Sequence, residues 1–384
     1  MNKRLPLSEP VISGNEWKYV KECLDKGWVS SAGEFVEQIE KKFAEYIGAE
    51  YAIPVTNGTS ALHISLIVLG LQPDEEVITP SLTFIASSNV IRYCGAYPVF
   101  MDVDNDTLCM DVEKTIDFIE KECNYSNNSL VNKSTGRIVK GILPVHLYGH
   151  PVDMDTLIEV AQKYNLFILE DATEALGAKY KGKMIGKLSD VSAFSFNGNK
   201  IITTGGGGMV VTNNKYIADK VRHLTTQARC DKIEYIHDEV GYNYRLTNIQ
   251  AALGLAQLER LDEFIAIKRH IAEFYQNHLN KIAGLKVCCE KEWAFSNYWL
   301  SWLLIDESFG KNRKEVIDYL NKKNIQARPF FIPLHNLKPY RNFQTYKMEL
   351  SDKLYNIGIN IPSHVELTDE DLNRFVDAIN EIKG

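Results

Sequence analysis

The sequence predicts an α/β protein, a doubly wound sheet domain followed by a smaller α+β unit. Three observations point there. Short apolar runs alternate with helix-like segments from about residue 50 to residue 215. Several of those runs are almost continuously apolar, as in strands covered on both faces. A long helical stretch then leads into a C-terminal portion of different pattern.

The strands are expected at Tyr51–Val55, Glu76–Thr79, Pro98–Met101, Gly141–Val145, Leu166–Glu170, Val191–Phe196 and Met209–Thr212. Helices are expected between them, at Ser60–Gly70, Ala86–Tyr93 and Met154–Tyr164. Ligands of such a domain sit at the carboxyl ends of the strands. Residues 124–136 are polar, rich in Asn and Ser, and read as an exposed loop. From Asn248 to Leu279 the apolar spacing predicts one long connecting helix. Beyond it, Trp299–Ile305 reads as a strand, and Arg313–Lys323 and Asp369–Ile382 read as helices. The division is therefore expected as residues 1–255 for the large domain and 256–384 for the connecting helix and small domain.

Composition narrows the function. The 384 residues are 45% hydrophobic and 24% charged, ordinary for a globular chain with a real core. A net charge of −7 disfavours a nucleic-acid partner, which needs a basic stripe. Seven cysteines without a CxxC pair argue against a disulfide framework or zinc site, and no metal is expected. Neither a signal peptide nor an apolar run long enough for a bilayer is apparent, so a cytoplasmic protein without membrane contact is expected.

Three segments carry chemistry. Thr56-Asn57-Gly58-Thr59-Ser60 ends a strand and opens a helix. Gly58 permits a tight turn, and Thr59 and Ser60 place hydroxyls beside unpaired helix N–H groups. That is either a plain N-cap or a phosphate seat. Leu169-Glu170-Asp171-Ala172-Thr173-Glu174 places acids where an α/β site would lie; Asp171 either pairs with a cationic ring nitrogen or caps a helix. In Phe194-Ser195-Phe196-Asn197-Gly198-Asn199-Lys200, followed by four glycines at 205–208, a lysine stands among small and aromatic residues. Such surroundings disfavour its charged form and suit bonding to an aldehyde, although a lysine snorkelling from a strand end would look the same. Phosphate seat, acid and lysine are together what pyridoxal 5'-phosphate (PLP) requires, and Phe84 offers an aromatic face for its ring.

With these, Thr83-Phe84-Ile85-Ala86, His146-Leu147-Tyr148-Gly149-His150, Gly241-Tyr242-Asn243-Tyr244-Arg245 and the late Pro333-Leu334-His335 complete a pattern. It resembles the DegT/DnrJ/EryC1/StrS sugar aminotransferases along nearly the whole chain. The resemblance implies the type I PLP-dependent aminotransferase fold, with a mostly parallel mixed sheet, and a homodimer with shared active sites. It also implies roles. Lys200 would bond the cofactor and Asp171 would face its ring nitrogen. Glu174 would lie near the ring hydroxyl and Phe84 on the ring. Gly58, Thr59, Ser60 and Ser195 would hold the phosphate. Asn243 and Arg245 fall in the loop that reaches the neighbouring subunit's cofactor. Trp28, Ser30, Asn199 and His335 are candidates for the substrate.

Lys200 favours transamination, because a dehydratase branch has histidine there. Gly206 stands where many members have glutamate. The implied reaction moves the amino group of L-glutamate to a nucleotide-linked 4-keto-6-deoxy sugar for surface glycan synthesis. The sequence favours UDP-2-acetamido-2,6-dideoxy-4-ketohexose, with the GDP-linked sugar of GDP-perosamine synthase as the alternative. A PLP-binding regulator without turnover is the alternative of another class.

Overall fold

The computed structural model describes residues 3–231 and 233–383. Its main sheet follows the spatial order Tyr51–Val55, Gly208–Thr212, Val191–Ser195, Phe167–Asp171, Ile138–Ile142, Glu76–Pro80, Tyr97–Met101 and Thr345–Tyr346. All neighbouring pairs in this row are parallel except the two made by Gly208–Thr212. Successive residues alternate between two cores. Phe167 and Leu169 join the core under the helix Gly58–Val68, while Ile168 joins the larger core on the opposite face. The near-continuous apolar runs in the sequence are thus strands buried on both sides.

A second sheet, of Leu285–Val287, Ser301–Ile305, Gly358–Ile361 and Arg328–Pro329, forms the C-terminal unit. The chain crosses between the two sheets more than once. Thr345–Tyr346 adds to the main sheet beside Phe100 and Met101, and Leu5 bridges to Ile325. Residue 255, where the domains were divided, lies within the helix Asn248–Leu258.

Two expectations are corrected. Residues 124–136 do not form a plain loop. Cys123–Ser126 and Ser129–Asn132 pair as a hairpin on the Ile138–Ile142 strand. Asn127 and Asn128, at φ 50 and 59, supply the left-handed turn that a two-residue hairpin needs. The long connecting helix is two helices, Asn248–Leu258 and Leu261–Leu279. The first packs on Glu16–Lys26 and Glu34–Ile47, and the second on the C-terminal helix Asp369–Lys383. Arg260 leaves helical geometry at φ −111 and ψ 4, so each helix can follow its own core.

Candidate active site

The site lies where several strands end at one edge of the main sheet. At the end of Tyr51–Val55, Asn57 caps the helix Gly58–Val68 by accepting from Ser60 N at 2.8 Å. The Ser60 hydroxyl is 3.1 Å from that of Thr56, so it is engaged within the turn. Thr59 is half-buried beside it. Gly58 is dictated by crowding, since a Cβ there would lie 2.7 Å from Ser195 Cβ. Glycine therefore brings the positive end of a helix against the hydroxyl at the end of Val191–Ser195, a seat suited to a phosphate.

Asp171 ends its strand with the side chain on the face of Phe167 and Leu169. It is 3% exposed. Oδ2 accepts from the Ser87 hydroxyl at 2.7 Å and Oδ1 from Thr173 N at 3.1 Å. These bonds fix the plane of the carboxylate. Glu170, one residue earlier, points to the other face and has a different task. Val152 N donates to His146 Nδ1, so the proton of a neutral His146 is on Nε2 and is donated to Glu170 Oε2 at 3.0 Å. Burial pushes the Glu170 carboxyl up. Donors from His146, Ser189 and Ser192 outweigh that push and hold it below its ordinary value.

Lys200 sits in the turn between Val191–Ser195 and Gly208–Thr212. Its Nζ lies 3.4 Å from Glu174 Oε1 and 4.1 Å from the centroid of the Trp299 ring. Burial raises the Glu174 carboxyl above its ordinary value, against the pull of Lys200 and of a hydrogen bond from Tyr148 N at 2.8 Å. Phe84 is exposed in the segment that follows the strand Glu76–Pro80, its ring 5.7 Å from that of Phe331.

The remaining candidates are more dispersed. His335 Nδ1 meets the Ser81 hydroxyl at 2.7 Å, next to the Thr83–Phe84 segment, and Nε2 lies 3.4 Å from Asp352. Asn199 is exposed, and its carbonyl accepts the Trp299 indole N–H. The carbonyls of Trp28 and Ser30 accept from Asn248, and both residues are exposed. Asn243 bridges to Thr226, and Arg245 bridges to Val55 at the end of the first strand. Gly206 O accepts from the Thr204 hydroxyl and the Gln250 amide.

Ser87, Asn297 and Trp299 belong to this site and were missed from sequence. Tyr148, within the His146–His150 motif, donates its backbone N–H to Glu174 Oε2. Its φ of 53 marks a constrained backbone, but no sequence signal reports that.

The residues present fit PLP: an amine, an oriented buried carboxylate, a helix N-terminus packed so closely on Ser195 that position 58 has no room for a Cβ, and an exposed aromatic ring. Comparisons with known proteins agree. Residues 10–380 match the DegT/DnrJ/EryC1/StrS aminotransferase family. GDP-perosamine synthase of Escherichia coli O157:H7 is 44% identical over 379 residues, covering 99% of this chain and 98% of the relative. The protein of that name from Caulobacter vibrioides is 41% identical over 383 residues, with 99% and 98% covered. Among solved structures, Helicobacter pylori PseC, an aminotransferase involved in pseudaminic acid biosynthesis, superposes with a TM-score of 0.89 at 26% identity, covering 99% of both chains. The PLP form of the Streptococcus pneumoniae putative sugar aminotransferase Spr1654 gives 0.88 at 25% identity, again over 99% of both.

Proposed function

We propose that this chain, which belongs to the DegT/DnrJ/EryC1/StrS aminotransferase family, transfers the amino group of L-glutamate to C4 of a GDP-linked 4-keto-6-deoxy sugar. It is a PLP-dependent aminotransferase, so the reading as a regulator without turnover is set aside. One observation carries the choice of nucleotide: GDP-perosamine synthases from three organisms match at 40–44% identity along essentially the whole chain. They favour the GDP alternative over the UDP-acetamido sugar expected from sequence.

When bound, PLP supplies an electron sink for the carbanion that transamination requires. The chain's residues do the rest. Lys200 Nζ removes the proton from the glutamate Cα and delivers one to sugar C4. Asp171, held by Ser87 and Thr173 N, pairs with the protonated ring nitrogen. Glu174, close to Lys200 and raised by burial, shares the proton traffic at Nζ. Gly58, Thr59, Ser60 and Ser195 gather the phosphate at the helix N-terminus. Phe84 covers one face of the ring. Asn243 and Arg245 act across a homodimer, in the site of the partner subunit, and Trp28, Ser30, Asn199 and His335 face the sugar nucleotide.

The test is a substrate panel. Purified protein with PLP and glutamate is expected to convert GDP-4-keto-6-deoxymannose to the 4-amino sugar, read by mass. Conversion of UDP-2-acetamido-2,6-dideoxy-4-ketohexose alone would restore the other nucleotide.

A further inference from the structure

Trp299 is joined to the Lys200 turn in two ways. Its indole N–H donates to Asn199 O at 2.7 Å, and the same ring lies 4.1 Å from Lys200 Nζ. The first bond fixes the backbone that carries Lys200. The second contact offers the ammonium an aromatic face, an attraction that strengthens out of water. The ring is itself held from behind. Trp299 is 2% exposed, its backbone N–H donates to Asn297 Oδ1 at 2.8 Å, and its backbone carbonyl accepts from Lys268 Nζ at 3.0 Å.

Asn297 links both neighbours of Lys200. Fully buried, its amide donates to Glu174 O and to Leu176 O, each at 2.9 Å, while its oxygen holds Trp299 N. The spacing between the Glu174 carboxylate and the Trp299 ring is thus set through a single side chain. Gly149, at φ 92, leaves the room this requires. A Cβ there would stand 1.8 Å from Asn297 Oδ1.

We infer that Trp299 is a positioning residue for Lys200, holding the free amine beside Glu174 so that it returns to one place in each half of the reaction. This rests on the transamination reading above, in which Lys200 Nζ moves a proton in both halves of the reaction. A ring that only filled the core would not need its N–H on the Asn199 carbonyl or its face at the amine.

The test compares wild type with Trp299→Phe, which keeps a face and loses the N–H, and Trp299→Leu, which loses both. The PLP-loaded full chain is mixed with glutamate alone, and the cofactor band is followed by stopped flow. The maximal rate is expected to fall about tenfold in the Phe variant and about 100-fold in the Leu variant, with half-saturation by glutamate within about threefold of wild type. On the same proteins freed of cofactor, the PLP dissociation constant is expected to rise about tenfold for Leu and less for Phe.

A Leu variant within about twofold of wild type in rate overturns the inference. So do equal losses in the two variants, or losses shared by rate and half-saturation alike. If Trp299→Leu does not fold, an unchanged rate in Trp299→Phe overturns it alone. No sugar is present, so a mistaken nucleotide leaves the result intact. Wild type inert toward glutamate would sink the transaminase reading, and the PLP affinities would still report on Trp299.

Discussion

The wall of the site around Lys200 and the surface carrying Trp28, Ser30, Asn243 and Arg245 are built on opposite principles. In the wall, Asp171, Glu174, Asn297 and Trp299 are all buried and hydrogen-bonded to one another's neighbourhoods. On the surface, Trp28, Ser30 and Asn243 are exposed, and those four residues meet the rest of the chain mainly through backbone. The wall is preorganised by its own fold. The surface side chains are left for something outside the chain to meet, which is where the proposed partner subunit and nucleotide enter.

That contrast can be broken most directly at Lys200. Lys200→Ala is expected to lower turnover by roughly four orders of magnitude while the protein stays folded, because only the reacting amine is lost. Activity assays with circular dichroism check this, and a merely tenfold loss would deny the wall its chemistry. Next in size, Asp171→Ala removes the acid proposed to face the ring nitrogen. A buried charge left without its partner costs roughly 3–5 kcal/mol, so cofactor retention should fall along with rate, read by absorbance after dialysis.

The surface is sharpened by mixing subunits. Lys200→Ala and Arg245→Ala are each expected to be weak alone. Coexpressed, they should recover up to about a quarter of wild-type activity, since one mixed site holds both intact residues. No recovery would return Arg245 to its own chain's site.

The smallest effect lies behind the wall. Lys268 is fully buried with two carbonyl acceptors and, among the described residues, no carboxylate partner, and burial pushes its amine down to about 7. Two acceptors suit a neutral amine, which has two N–H groups to give. Unfolded, the lysine keeps its proton to a pH of about 10.4. Between those values the unfolded chain binds more protons, so Lys268 adds stability as pH rises from about 7 toward 10, roughly 4 kcal/mol in all. Below about 7 both states are charged and this contribution is absent. Thermal melts across that range should show the rise in wild type and a flatter profile in Lys268→Met. Identical profiles would refute it.

Much of the fold was legible because strands buried on both faces advertise themselves as apolar runs. That Thr56–Ser60, Asp171 and Lys200 lie together was legible too, since each stands at or just beyond the end of a strand at one edge, while their roles are the proposal above. What escaped were long-range partners. Ser87 reaches Asp171 across 84 positions, and Trp299 reaches Asn199 across 100. A buried serine in a helix and a tryptophan before a strand look like ordinary core in one dimension. The break at Arg260 escaped for a related reason: apolar periodicity continues through it, and only the two separate cores require the bend. The Asn127–Asn128 turn was locally encoded, but polarity was read ahead of its hairpin geometry.

The parallel pairing of Thr345–Tyr346 with Phe100–Met101 bears on how substrates come and go. It stitches the C-terminal unit to the main sheet, whereas the Leu5–Ile325 bridge gathers the N-terminal segment onto that same unit, where Leu7 O also accepts from Ser363 N. A rigid swing of that unit, the usual way a two-lobed enzyme opens, would tear this pairing. With that pairing intact, passage in and out falls to side chains and short loops at the rim, and tethering Thr345–Tyr346 to its neighbour with a crosslink should leave turnover intact.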